Sequence, residues 1–170
     1  MEISLVGFMG TGKSTIGKIL AKKLDLTFIE TDVEIEKKKK KKISEIFSEK
    51  GENFFRKLES EVLEKIIKCK NNFVLSTGGG IVIKPENRKY IKENTISILL
   101  DASPEIIYKR IKDNSDRPLL NTEKPLVKIK KLKEKRFQYY NKFSDKINTD
   151  NKSPKKVVRE IINLIGVDQD

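Results

Sequence analysis

Residues 3–6 form a short apolar run rich in β-branched side chains, the pattern of a strand covered on both faces, and the run leads straight into glycines. From Ser14 onward Ile16, Ile19, Leu20 and Leu24 recur at helical spacing, so the glycine-bearing segment 7–14 is expected to join a strand to a helix. Residues 27–29, 73–75 and 96–100 read as three further strands, and a short stretch near 145–148 reads as an edge strand. Between Ile43 and Lys70 the apolar positions Phe47, Phe55, Leu58, Val62 and Ile66 suit two helices broken near Gly51. Pro85 opens a short helix. Ser103 with Pro104, and Ser153 with Pro154, each supply a cap and a first-turn proline for the helices that follow, and residues 126–140 read as one more helix. Residues 113–122 are polar and turn-rich apart from Pro118, Leu119 and Leu120, an exposed loop with an apolar tip of the kind that serves as a lid.

Strands alternating with helices imply right-handed parallel βαβ units, hence an α/β fold with a doubly wound sheet flanked by helices. Ligands of such sheets bind beyond the carboxyl ends of the strands. A chain of 170 residues is the length of one domain, and with no internal repeat or linker visible a single domain over 1–170 is expected.

Composition narrows the class. Hydrophobic and charged residues each make up 36% of the chain, which fits a globular protein with a heavily charged surface. No apolar run is long enough to span a bilayer, and residues 1–12 carry no basic leader before Lys13, so a cytoplasmic protein without a membrane partner is expected. Cys69 is the single cysteine; it excludes an internal disulfide and reads as a core or inert thiol. The lack of histidine removes the commonest general base and metal ligand, leaving proton transfer to carboxylates, lysine, tyrosine or water. Net charge is +12, but the excess is spread among scattered lysines and only six arginines. The lysine run 37–42 follows acidic Glu34 and Glu36 without interleaved aromatics, so it reads as a solvated helix end or loop. Where lysine is the default cation, Arg56, Arg88, Arg110, Arg117, Arg136 and Arg159 stand out, since forked recognition of carboxylate or phosphate is one reason to keep arginine.

Residues 7–14, GFMGTGKS, match GxxxxGK[ST] at every fixed position and lie between an expected strand and an expected helix. Glycines let the backbone wrap phosphates with its N–H groups, and the helix N-terminus adds partial positive charge. Gly10, Thr11, Gly12, Lys13, Ser14 and Thr15 are thus the candidate ATP contacts, with Lys13 spanning the β- and γ-phosphates and Ser14 ligating Mg²⁺. No NKxD or TKxD sequence accompanies the loop, which argues against a guanine-specific switch.

Taken with Thr31-Asp32, the segments GENFFRKLESEV, STGGG, DRPLL and LKEKRFQYY give a pattern that resembles shikimate kinase, from about residue 3 to residue 165. The resemblance implies a P-loop kinase fold, a three-layer sandwich with a parallel five-stranded sheet, and transfer of the ATP γ-phosphoryl group to the 3-hydroxyl of shikimate. It also implies that Asp32 binds the acceptor hydroxyls and takes the proton, that Arg56 and Arg136 hold the acceptor carboxylate, and that Gly78, Gly79 and Gly80 approach the acceptor with their backbone. Acceptor-binding helices over about 32–61 and a lid over about 113–124 follow from the same likeness. Arg117 would reach the ATP phosphates on closure, Arg110 would stack on adenine beside a loop at 149–154, and Phe47, Phe55 and Leu119 would pack around the ring.

Individual residues leave other roles open. Asp32 suits a helix cap, Arg56 an i,i+3 pair with Glu59 that would also orient it, Arg136 and Arg117 a solvated surface, and the glycines a plain turn. The chain departs from the family pattern in having Glu30 where an aspartate is usual, a longer carboxylate able to hold Mg²⁺ through water. It departs again in the lysine tract, where a glycine is common between the acceptor helices. A gluconate-kinase-like enzyme and a nucleic-acid-associated NTPase are the rival readings; the expectation is a monomer acting on shikimate and ATP with no nucleic-acid partner.

Overall fold

The computed structural model describes residues 1–112 and 124–167. In chain order the elements are β1 (Glu2–Val6), α1 (Lys13–Lys23), β2 (Thr27–Glu30), α2 (Thr31–Lys39), α3 (Ile43–Cys69), β3 (Phe73–Ser76), a 3-10 turn (Ile81–Ile83), α4 (Pro85–Asn94), β4 (Ile96–Asp101), α5 (Pro104–Ile111), α6 (Pro125–Tyr140), β5 (Lys146–Asn148) and α7 (Pro154–Ile165). The five strands form one parallel sheet in the order β2-β3-β1-β4-β5, with Leu5 opposite Ser76 on one side and Ile98 on the other. β1 is therefore the central strand, and the chain leaves it for opposite sides of the sheet, the crevice where α/β proteins bind ligands.

Alternation along the strands divides the core. Ile3, Leu5, Val74, Ile98 and Leu100 face α1 and α7, while Val6, Phe73, Leu75 and Leu99 belong to the cluster shared with α3, α4, α5 and α6. α7 inserts Val157, Val158, Ile161 and Ile162 into the first layer, each at most 1% exposed; burying each such side chain contributes about 1.5–3 kcal/mol. The helices start as the sequence dictates. Ser103 and Ser153 hydroxyls accept from the Ile106 and Lys156 amides, and prolines open α4, α5, α6 and α7.

α3 is a helix with a kink, Gly51 taking φ 76° and ψ 174° inside it, at the expected break. The lysine tract finishes α2 and makes its link to α3. Lys40 ends α2 in the left-handed conformation (φ 53°, ψ 34°) that glycine adopts most readily. Lys37, Lys38 and Lys41 pair with Glu34, Glu61 and Glu49, so much of the tract's charge is answered by the chain's own carboxylates. Cys69 is exposed at the end of α3, so of its two readings, core or inert thiol, the core one falls: the last turn of the helix projects beyond the buried Ile66. The lid residues, Arg117 and Leu119 among them, fall outside the described residues.

Candidate active site

The loop after β1 turns into α1 through Gly12, which sits at the N-cap with φ 98°, a conformation strained for any residue with a Cβ. Thr11 is fully buried and donates its hydroxyl to Phe8 O at 2.8 Å. The Lys13 ammonium is folded along the loop, donating to the carbonyls of Gly7 at 2.8 Å and Phe8 at 2.9 Å. At the start of α1 the Ser14 hydroxyl donates to the Glu30 carboxylate and lies 3.5 Å from the Ser76 hydroxyl. Three oxygen-bearing side chains from the ends of β2, α1 and β3 are thus gathered beside the phosphate loop. Hard oxygen donors in this number suit a cation that keeps several waters and takes others of its ligands from phosphate, as Mg²⁺ does.

Arg110 fastens the far side. Its guanidinium donates to Gly10 O at 3.2 Å and to the Thr149 hydroxyl and carbonyl at 2.9 and 2.8 Å, tying α5 to the loop that follows β5. A cavity of about 510 Å³ spans the loop, lined from Asp32 and Gly79 at one end, past Thr15, to Lys152, Pro154 and Val157 at the other; small-ligand clefts have this volume.

The second half of the site is assembled across the sheet's edge from α2, α3, β3 and α6. α2 begins at Thr31 with Glu30 as its N-cap residue, so Asp32 lies within the first turn and is not the cap. The Thr31 hydroxyl, fully buried, accepts the Gly78 amide at 2.8 Å and anchors α2 to the glycine triplet. A Cβ built on Gly78 would stand 2.6 Å from Glu59 Oε1 and 2.8 Å from Asp32 Oδ1, and one on Gly80 would collide with the Arg56 guanidinium. Gly78 and Gly80 therefore leave the room into which these side chains reach. Arg56 donates to Glu59 at 2.8 Å and to Glu52 at 3.1 Å. Arg136 reaches the same triplet from α6, donating to Gly79 O at 3.2 Å, with its guanidinium 5.7 Å from the Phe8 ring centroid. The i,i+3 pair of Arg56 with Glu59 is real, and it turns the guanidinium toward Gly80 instead of toward bulk water. The Arg56 guanidinium lies 5.3 Å from the Phe55 ring centroid, and Phe47 packs tilted against Phe55, ring centroids 4.4 Å apart.

A model of the shikimate kinase family matches residues 9–166. The chain belongs to this family. A shikimate kinase from Persephonella marina is 47% identical over 164 residues, which are 96% of this chain and 98% of that protein. Among solved structures, shikimate kinase from Acinetobacter baumannii in complex with shikimate superposes with a TM-score of 0.91 at 35% identity, covering 96% of this chain and 91% of that one. The enzyme from Aquifex aeolicus superposes at 0.86 with 40% identity, covering 98% and 96%. The fold is thus the P-loop kinase fold, as expected.

Further groups complete the site, and the sequence names Glu59 among them as the i,i+3 partner that orients Arg56. Glu59 is 1% exposed, and burial pushes its carboxyl above the ordinary carboxylate range, with Arg56 opposing the rise and Asp32 adding to it. Its position three residues after Arg56 on an otherwise apolar helix face was the available signal. Thr31, Thr149 and Tyr140 are hydrogen-bonded to loops distant in sequence, and nothing in local pattern announces such contacts.

Proposed function

We propose that the chain transfers the γ-phosphoryl group of ATP to the 3-hydroxyl of shikimate, giving shikimate 3-phosphate and ADP. The observation that carries the reading is the convergence of Asp32, Arg56 and Arg136 on one glycine triplet beside the phosphate loop. Asp32 accepts the proton of the attacking hydroxyl, whose oxygen bonds to the γ-phosphorus as the bond to the β–γ bridging oxygen breaks and ADP departs. Arg56 and Arg136 hold the acceptor's carboxylate with two forks, and Gly78, Gly79 and Gly80 let it lie against backbone. Lys13 exchanges its loop carbonyls for the β- and γ-phosphates. Ser14 and, through water, Glu30 hold Mg²⁺, which when bound neutralises phosphate charge.

Arg110 with the loop at 149–154 borders the adenine, and Arg117 and Leu119 close over phosphate and acceptor. That the relative from Acinetobacter baumannii was solved in complex with shikimate supports the acceptor's identity. Two carboxylate-binding arginines would be superfluous for a neutral acceptor, which weighs against uncharged sugars. Action as a single domain and a monomer, in the cytoplasm and without nucleic acid, completes the proposal; among the described residues no helix is long and apolar enough to cross a membrane. A coupled assay of ADP release with shikimate, gluconate and nucleoside monophosphates tests it. Release stimulated by shikimate alone is expected; folded protein that gives none overturns the reading.

A further inference from the structure

Tyr140 lies one helical turn beyond Arg136 on α6, and both side chains end on the same atom. The Tyr140 hydroxyl donates to Gly79 O at 2.6 Å, and Arg136 Nη1 donates to it at 3.2 Å. A carbonyl oxygen has two lone pairs, so the bonds coexist. Tyr140 is 6% exposed, and burial pushes its hydroxyl far above the usual phenol range, with Arg136 opposing, so the group remains a donor throughout the neutral range.

We infer that Tyr140 is a positioning residue for acceptor binding: by satisfying the Gly79 carbonyl it frees the Arg136 fork to turn to the acceptor's carboxylate. Without the tyrosine hydroxyl, Arg136 would be the donor left to that part-buried oxygen, and each binding event would have to break its bond and leave the oxygen without that partner. The inference rests on the carboxylate pocket proposed above. Fastening of α6 is a separate matter, because the neighbouring Tyr139 also ties the helix down. Its ring lies 5.0 Å beneath the Arg88 guanidinium, which donates to Val82 O and Ile83 O at 2.5 and 3.0 Å.

The test is steady-state kinetics of Tyr140→Phe alone and in an Arg136→Lys background, with Tyr139→Leu as the control for loosening α6. Tyr140→Phe should raise the KM for shikimate roughly fivefold, with kcat within about twofold and the KM for ATP unchanged. In the Arg136→Lys background, where the fork is already lost, the same change should add nothing. Installing 4-aminophenylalanine at position 140, which keeps a donor of similar reach, should give the wild-type KM, and it carries the test if the phenylalanine variant does not fold. An unchanged KM in folded Tyr140→Phe, an equal rise in both backgrounds, an equal rise in Tyr139→Leu, or a raised KM with the amino analogue overturns the inference while leaving the functional reading intact. Wild-type protein inactive toward shikimate overturns both.

Discussion

The phosphate loop and the acceptor pocket sit side by side at the carboxyl edge of one sheet, yet they are built on opposite plans. The loop is contiguous in sequence, and its working groups are mostly backbone N–H groups at a helix start, with Lys13 resting on the loop's own carbonyls. The proposed acceptor pocket takes residues from segments spread between Asp32 and Tyr140, and its working groups are side chains already held by partners, Arg56 by the Glu59 carboxylate and Arg136 by the Gly79 carbonyl. A backbone cradle serves any nucleoside triphosphate, whereas a pocket of mutually oriented charges selects one acceptor. Chemistry should therefore fail when either half is damaged, while acceptor affinity should depend on the dispersed half alone.

The largest effect is expected at the boundary between the halves. Asp32→Asn keeps the side chain's size and removes the proposed base, so kcat should fall roughly 10²–10⁴-fold while the KM values hold within a few-fold, as read by coupled turnover. Lys13→Ala, on the loop side, should lower kcat roughly 10²–10³-fold through lost charge stabilisation of the transferring phosphoryl group. Its fold should stay intact, because the Phe8 carbonyl it leaves keeps the Thr11 hydroxyl as a donor. Arg56→Lys or Arg136→Lys should act differently: charge stays, the fork is lost, and the KM for shikimate rises with a cost of about 1.5–3 kcal/mol while kcat and ATP affinity change little. A matching loss of ATP affinity would mean that the halves are not separable.

The same contrast governs what could be read in advance. GFMGTGKS names its chemistry because eight successive residues carry it, and the alternation of apolar runs disclosed the sheet, the Gly51 kink and the edge strand. Asp32, Arg56 and Arg136 were legible only through likeness to a family, since each alone suits a cap, a helix pair or a surface. Glu59 was legible as the i,i+3 partner of Arg56, whereas the role of Tyr140 was not, because its partner is set by tertiary packing over a separation of 61 residues. Cys69 stayed open between a core and an inert thiol for a related reason: where a helix outruns the layer it packs on is not written in its periodicity.

The smallest effect expected concerns pH. Glu59 has its folded pKa raised by burial, so the folded state favours the protonated carboxyl. Its stabilising contribution is complete below the unfolded carboxylate range and is lost as pH rises through the raised value. Glu59→Gln imitates the protonated carboxyl, so its melting curve should lie closest to that of the wild type at acid pH, and the wild type should lose stability relative to the variant as pH climbs. A constant gap would place Glu59 outside the titrating groups.

The central claim is that two arginines converge on one carboxylate, and it is tested most directly by comparing shikimate with its methyl ester in the wild-type enzyme. The ester keeps ring and hydroxyls but removes the charge that Arg56 and Arg136 are held to receive. The account predicts that kcat/KM for the ester falls by roughly 10²-fold or more, carried almost entirely by KM. Equal kcat/KM for acid and ester would contradict it and leave the acceptor pocket without its defining contact.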